Sequence, residues 1–240
     1  MANPDSKVSE LPADGDVSAS RKGNLPVDLR EVERRLRNSY GQPRHQNPRA
    51  PLDDLIFIML SRMTQETKFV RSYRALVEAY PTWDRLRDAP LSEVVERIRD
   101  AGLAPTKARH FQEILKEVTA REGRTDLSRL ANLSTDDAEA YLTSLPGVSR
   151  KTARCVLLYA LDRDVCPVDT HVWRVMQRLG AAPPGRWSER TARELEERIP
   201  EDLRASLHIT LISHGRAVCR ARVPRCPECA LFDLCLSSQD

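Results

Sequence analysis

Lys151 follows a Leu145-Pro146-Gly147-Val148 turn, and Asp169 lies eighteen residues beyond it. The turn breaks one helical pattern, while Ala153, Val156, Leu157, Ala160 and Leu161 set the apolar spacing of the next, so the lysine falls in that helix's first turn. A cation there opposes the helix dipole, and the free amide N–H groups at the same place attract anions. Either a phosphate docks on the turn, or the lysine is wanted as a neutral nucleophile. Asp169 precedes a helix that ends near Gly180, where a carboxylate serves as a cap and can also place negative charge beside a reacting centre. Taken singly, the two residues read as an exposed lysine and a cap. Their joint placement is what points to chemistry.

A second constellation closes the chain. Cys219, Cys226, Cys229 and Cys235 are separated by six, two and five residues. Four thiolates hold either tetrahedral zinc or an iron-sulfur cluster, and the single close pair, Cys226 and Cys229, favours the cluster. Cys155 reads as a small core residue, and Cys166, before Pro167, receives no role. Between the first two cysteines of the cluster, RARVPR sets Arg220, Arg222 and Arg225 at fixed spacing for phosphate contacts. The net charge of +3 says little about partners. The two stretches free of acids, Ser144 to Leu161 and Leu203 to Pro227, form either one basic face or two unrelated solvated faces.

The elements that must position these residues read as nearly all helix, about ten short ones, with no alternating run that supports a sheet. Residues 1–24 read as a disordered tail. Pro26 suits the first turn of a helix carrying Leu29, Val32 and Leu36, and Gly41, Pro43, Pro48 and Pro51 mark a linker. Leu52 to Leu60 reads as a buried helix, Phe69 to Tyr80 and Leu91 to Arg99 as two more, and Leu103-Ala104-Pro105 as a turn. Further helices carry Phe111 to Val118, Ala138 to Leu145, Leu195 to Ile199 and Leu203 to Ser213, with Ser134 and Ser188 as caps. No apolar run reaches membrane-spanning length, so an intracellular protein is expected, with no membrane partner.

Three features together, LPGVSRKTA, VDTH at Val168 to His171 and the four-cysteine spacing, resemble the endonuclease III family of DNA glycosylases from about Leu29 to Cys235. The resemblance implies an all-α helix-hairpin-helix enzyme that binds DNA in a cleft between two domains. These would be a six-helix barrel domain over residues 48–163 and an iron-sulfur cluster domain over 164–240, to which the N-terminal helix of 25–47 also belongs. It implies Lys151 as the catalytic lysine, Asp169 as the catalytic aspartate, and Cys219, Cys226, Cys229 and Cys235 as ligands of a 4Fe-4S cluster. Leu103, in GLAPTKA, resembles the residue wedged into the strand opposite the lesion; Gly147, Ser149 and His171 are the further DNA-contact candidates. Two positions depart from the family. Ser149 stands where the hairpin usually has a second glycine, and Met63 where a glutamine usually fills the space left by the flipped base.

The activity so implied is a bifunctional glycosylase and abasic-site lyase acting as a monomer on oxidised pyrimidines in duplex DNA, in the nucleoid-associated cytoplasm. The alternatives are a monofunctional mismatch or adenine glycosylase, whose branches commonly lack the lysine, a non-catalytic helix-hairpin-helix DNA-binding protein, and an electron-transfer cluster protein.

Overall fold

The computed structural model describes residues 25–42 and 45–238; the expected tail of residues 1–24, and Pro43 of the expected linker, lie outside them. Among the described residues there are eleven α-helices and no strand. The first seven are α1 (Leu29–Tyr40), α2 (Pro51–Ser61), α3 (Glu66–Ala79), α4 (Trp83–Asp88), α5 (Leu91–Arg97), α6 (Ala104–Glu122) and α7 (Thr135–Thr143). The hairpin leads into α8 (Arg150–Tyr159), followed by α9 (Thr170–Arg178), α10 (Glu189–Arg198) and α11 (Glu201–Ala217). None of the described helices is long and apolar enough to cross a membrane.

Local chemistry sets the helix ends. Ser134 accepts a hydrogen bond from the Asp137 N–H, and Ser188 forms a reciprocal capping box with Thr191, as their spacing predicts. Gly123 ends α6 in the left-handed conformation that glycine adopts without strain. Three boundaries differ from the sequence reading. Asp28 caps α1, so the helix starts at Leu29 rather than at Pro26. The expected turn at Leu103 to Pro105 is tighter than anticipated: only Leu103 lies outside the helix, and Pro105 sits within the first turn of α6, where its missing N–H costs nothing. Short α4 was not anticipated, because six residues with one buried side chain, Leu86, leave no periodicity to read.

The apolar residues gather in two clusters. One is built from α2 to α8 around Ile56, Phe111 and Leu115; the other joins Val32 and Leu36 of α1 to Val172 and Met176 of α9 and to Leu207 and Leu211 of α11. Each fully buried side chain of this size contributes about 1.5–3 kcal/mol. A buried ionic lattice bridges the clusters. Glu196 of α10 accepts from Arg154, from Arg150 at 3.2 Å and from the Cys166 N–H at 2.7 Å, while Glu139 of α7 accepts from Arg150 at 2.8 Å and Arg154 at 2.7 Å. The two arginines and two glutamates neutralise one another, which is the condition for burying them. Cys166, without an expected role, takes part through its backbone.

Candidate active site and nucleic-acid interface

The hairpin is held by its ends. Leu145 and Val148 are buried, and Gly147 between them has φ 71°. A Cβ on Gly147 would lie 2.6 Å from His110 Nδ1, so both backbone conformation and space require glycine there. Gly147→Ala is therefore expected to lower stability by about 1–2 kcal/mol, read as a fall in Tm. Ser149 has an ordinary φ of −81° and caps α8, its Oγ accepting from the Thr152 N–H at 3.3 Å. The departure from glycine thus imposes no backbone strain; the hydroxyl satisfies a helix end.

The two cations in the first turn of α8 diverge. Arg150 turns to Glu139 and Glu196, whereas half-buried Lys151 faces a cleft of about 1110 Å³ that Asp169 also lines. The pKa of Lys151 is raised, by Cys155 one turn along α8 and by Asp169, with burial acting the other way. Burial pushes the Cys155 thiol up as well, so at neutral pH it stays a thiol. With Cys155 a thiol, Asp169 is the carboxylate that favours the ammonium form of Lys151, while burial favours the neutral amine. Asp169 caps α9, its Oδ1 accepting from the His171 and Val172 N–H groups, each at 2.8 Å. His171 contacts the cleft, its Nδ1 lying 3.1 Å from Arg174 Nη2, and burial lowers its pKa. Gly215 lets α11 approach this turn: a Cβ there would lie 3.0 Å from His171 Cβ.

The far wall of the cleft was not legible in the sequence. Tyr159 Oη lies 2.8 Å from Nε2 of His208, which is fully buried and whose pKa burial lowers to about 4, so it is neutral. His45 packs on Tyr159, and Trp187 donates to the Val168 carbonyl at 3.3 Å. Tyr159 and His208 sit singly in apolar helices and His45 and Trp187 in loops, none with a spacing signal, and only the tertiary fold brings these four together.

At the rim, Met63 (87% exposed) and Leu103 (59%) are large apolar side chains in left-handed conformation, with φ 52° and 51°. Arg62 Nη1 donates to the Gly147 carbonyl at 3.0 Å, fastening the Met63 loop to the hairpin. Glu66 and Arg216 pair at 3.5 Å across the cleft lining. Arg220, Arg222 and Arg225 are all exposed, and the contact of Arg225 with Glu228 at 3.5 Å is a solvated one.

Cys219, Cys226, Cys229 and Cys235 are free and line one cavity of about 230 Å³. Among the described residues no three His, Cys, Asp or Glu side chains converge on a single-ion site. The four thiols thus share one cavity without meeting at a point. Hydrogen bonds are aimed at the sulfurs: Arg178 Nη1 donates to Cys219 Sγ at 3.1 Å and the Leu231 N–H to Cys229 Sγ at 3.4 Å. Burial and the neighbouring thiols push Cys229 up, a cost that a cationic centre between them would offset.

A lysine led in by a hairpin and facing a helix-capping aspartate across a cleft, in an all-helical frame, defines a class. Residues 56–201 match the family model described as HhH-GPD superfamily base excision DNA repair protein, and the chain belongs to that superfamily. Within it, the chain belongs to the endonuclease III family. It is 31% identical over 193 residues to Endonuclease III of Thermotoga maritima, covering 80% of this chain and 86% of that protein. Against Endonuclease III of Escherichia coli it is 30% identical over 206 residues, covering 85% and 93%. Its fold superposes on a trapped endonuclease III–DNA covalent intermediate with a TM-score of 0.76 at 29% identity, over 88% of this chain and 95% of that one. The TM-score to a non-covalent endonuclease III–DNA complex, at the same identity and coverage, is 0.73.

Proposed function

We propose that this chain is a bifunctional DNA glycosylase and abasic-site lyase that removes oxidised pyrimidines from duplex DNA, acting as a monomer on nucleoid DNA. The observation that carries the reading is the pairing of Lys151 with Asp169 on one cleft behind the hairpin. A base must leave the stack before its glycosidic bond can be reached, which costs a few kcal/mol and favours poorly stacked lesions. Lys151, after losing a proton, attacks C1′ of the extruded sugar; the C–N bond breaks and the base departs with the electron pair and takes up a proton. The aminal so formed loses its N–H proton and opens as the C1′–O4′ bond breaks, O4′ taking up a proton. The protonated imine then withdraws electrons so that a proton leaves C2′ and the C3′–O bond breaks, the 3′-phosphate departing with the electron pair. Asp169 supplies the negative charge that offsets the cationic sugar. The Lys151 side chain distinguishes this from the monofunctional reading, in which water alone would be the nucleophile.

The cleft would lie between the barrel domain of residues 48–163 and the cluster domain of 164–240 with the helix of 25–47, a division supported by the two apolar clusters. Cys219, Cys226, Cys229 and Cys235 would hold a 4Fe-4S cluster. When bound, it supplies four covalent cross-links that fix the arginine loop beside the DNA path. Neutralising Arg220, Arg222 and Arg225 together is expected to flatten the plot of log affinity against log salt by about 1–3 units, measured by fluorescence anisotropy on a lesion duplex. An unchanged slope would place that loop away from DNA.

The direct test is a panel of duplexes carrying thymine glycol, uracil mispairs, adenine mispairs and abasic sites, incubated with borohydride. Covalent trapping on thymine glycol and abasic DNA is expected; base release without trapping would indicate the monofunctional chemistry, and neither would leave a binding protein.

A further inference from the structure

Lys107, in the first turn of α6, is 6% exposed and has no carboxylate partner among the described residues. Its Nζ lies within hydrogen-bond distance of four oxygens: the carbonyls of Leu60 and Arg62 at 2.8 Å each, Thr64 Oγ1 at 2.9 Å and the carbonyl of Ala101 at 2.6 Å. The first three belong to the end of α2 and the loop after it, which carries Met63, and the fourth to the turn that leads into Leu103. The Thr64 hydroxyl also bonds the Ala101 carbonyl, and a Cβ on Gly102 would meet the Met63 carbonyl at 3.6 Å. The two loops therefore touch, with one ammonium shared between them. A cation at a helix N-terminus opposes the dipole, and burying it carries a desolvation cost. Burial and nearby Arg62 draw its pKa down to about 8, which leaves the ammonium predominant at pH 7. The ammonium offsets those costs by donating to carbonyls of two separate loops, so its position fixes one loop against the other.

What the ammonium holds is specific. Met63 and Leu103 are both in left-handed backbone conformation and both present exposed apolar side chains. A left-handed conformation strains a residue with a side chain and persists only where the surroundings enforce it. The carbonyl of Arg62, immediately before Met63, and that of Ala101, two residues before Leu103, are among those the ammonium binds. We propose that Lys107 is a positioning residue, whose ammonium sets the separation of the Met63 and Leu103 side chains so that they enter the duplex as one wedge opposite the extruded nucleotide. This rests on the reading of the chain as a base-extruding repair enzyme.

The test compares borohydride trapping on two substrates: an abasic site opposite adenine in intact duplex, and the same site opposite a one-nucleotide gap, where no partner base has to be displaced. Lys107→Met is expected to trap about tenfold more slowly on the intact duplex, the size of one charge-assisted hydrogen bond, and within twofold of wild type on the gapped one. Thr64→Val, which keeps the side-chain shape, should show the same selective loss at about threefold, and serves if Lys107→Met fails to fold. In a Met63→Ala, Leu103→Ala background, Lys107→Met should add nothing further. Equal losses on both substrates, or full additivity with the two alanines, would overturn the clamp. If wild type gives no adduct on either substrate, the lyase reading fails instead, and the clamp is then read without chemistry: fluorescence of 2-aminopurine opposite a tetrahydrofuran site should rise on binding wild type and stay low with Lys107→Met, and an equal rise would overturn it.

Discussion

Replacing Lys151 with glutamine is expected to abolish the borohydride-trapped adduct, a loss of at least about 10³-fold, while affinity for lesion DNA stays within about threefold. The substitution removes the one amine in the first turn of α8 that faces the cleft; Arg150 beside it is committed to Glu139 and Glu196. Glutamine keeps a polar side chain, one atom shorter, and Ser149 still caps the helix, so the fold has no reason to respond. The pH dependence follows from the direction of the shift. Asp169 favours the ammonium form, so the neutral, attacking fraction of Lys151 grows as pH rises. Where attack limits the rate, trapping by wild type should climb by up to about tenfold per pH unit. A Lys151→Gln adduct at wild-type level would remove the lysine from the mechanism.

Asp169→Asn is expected to lower turnover by about 10²–10³-fold, comparable to removing one electrostatic stabiliser of a developing charge. This substitution separates two roles that coincide at one residue. Asparagine caps helices as well as aspartate does, and its side-chain oxygen can still accept from the His171 and Val172 N–H groups. Tm should therefore stay nearly constant while the rate falls, because only the charge beside Lys151 has gone. A parallel loss of stability, or a rate near wild type, would reduce Asp169 to a cap. Measuring single-turnover base release alongside thermal melting decides between these.

The legibility of the site followed the range of its interactions. Lys151, Gly147, Ser149 and Asp169 were readable because turns, caps and helix starts are local: each is set by residues two to four positions away. The cysteine spacing was readable for the same reason, being confined to seventeen consecutive residues. Met63 and Leu103 were visible as sequence positions, but nothing in their neighbours announced that both adopt left-handed conformation on exposed loops. Lys107 was overlooked altogether. In sequence it is an ordinary lysine in GLAPTKA, and its four oxygen partners include three that lie more than forty residues away.

By itself, then, the amino-acid sequence determined the helices that its periodicity and caps support, the hairpin, the lysine at a helix start, the aspartate at another, and the set of four thiols. Tertiary structure decided which of these face one another. It set Lys151 and Asp169 on one cleft and turned Arg150 away, gathered Tyr159, His208, His45 and Trp187 into the cleft wall, and joined the Met63 and Leu103 loops through one buried ammonium. The reason is physical: backbone propensity and capping act within a turn or two of helix, whereas desolvation, charge pairing and the burial of a lysine depend on groups that only packing brings together.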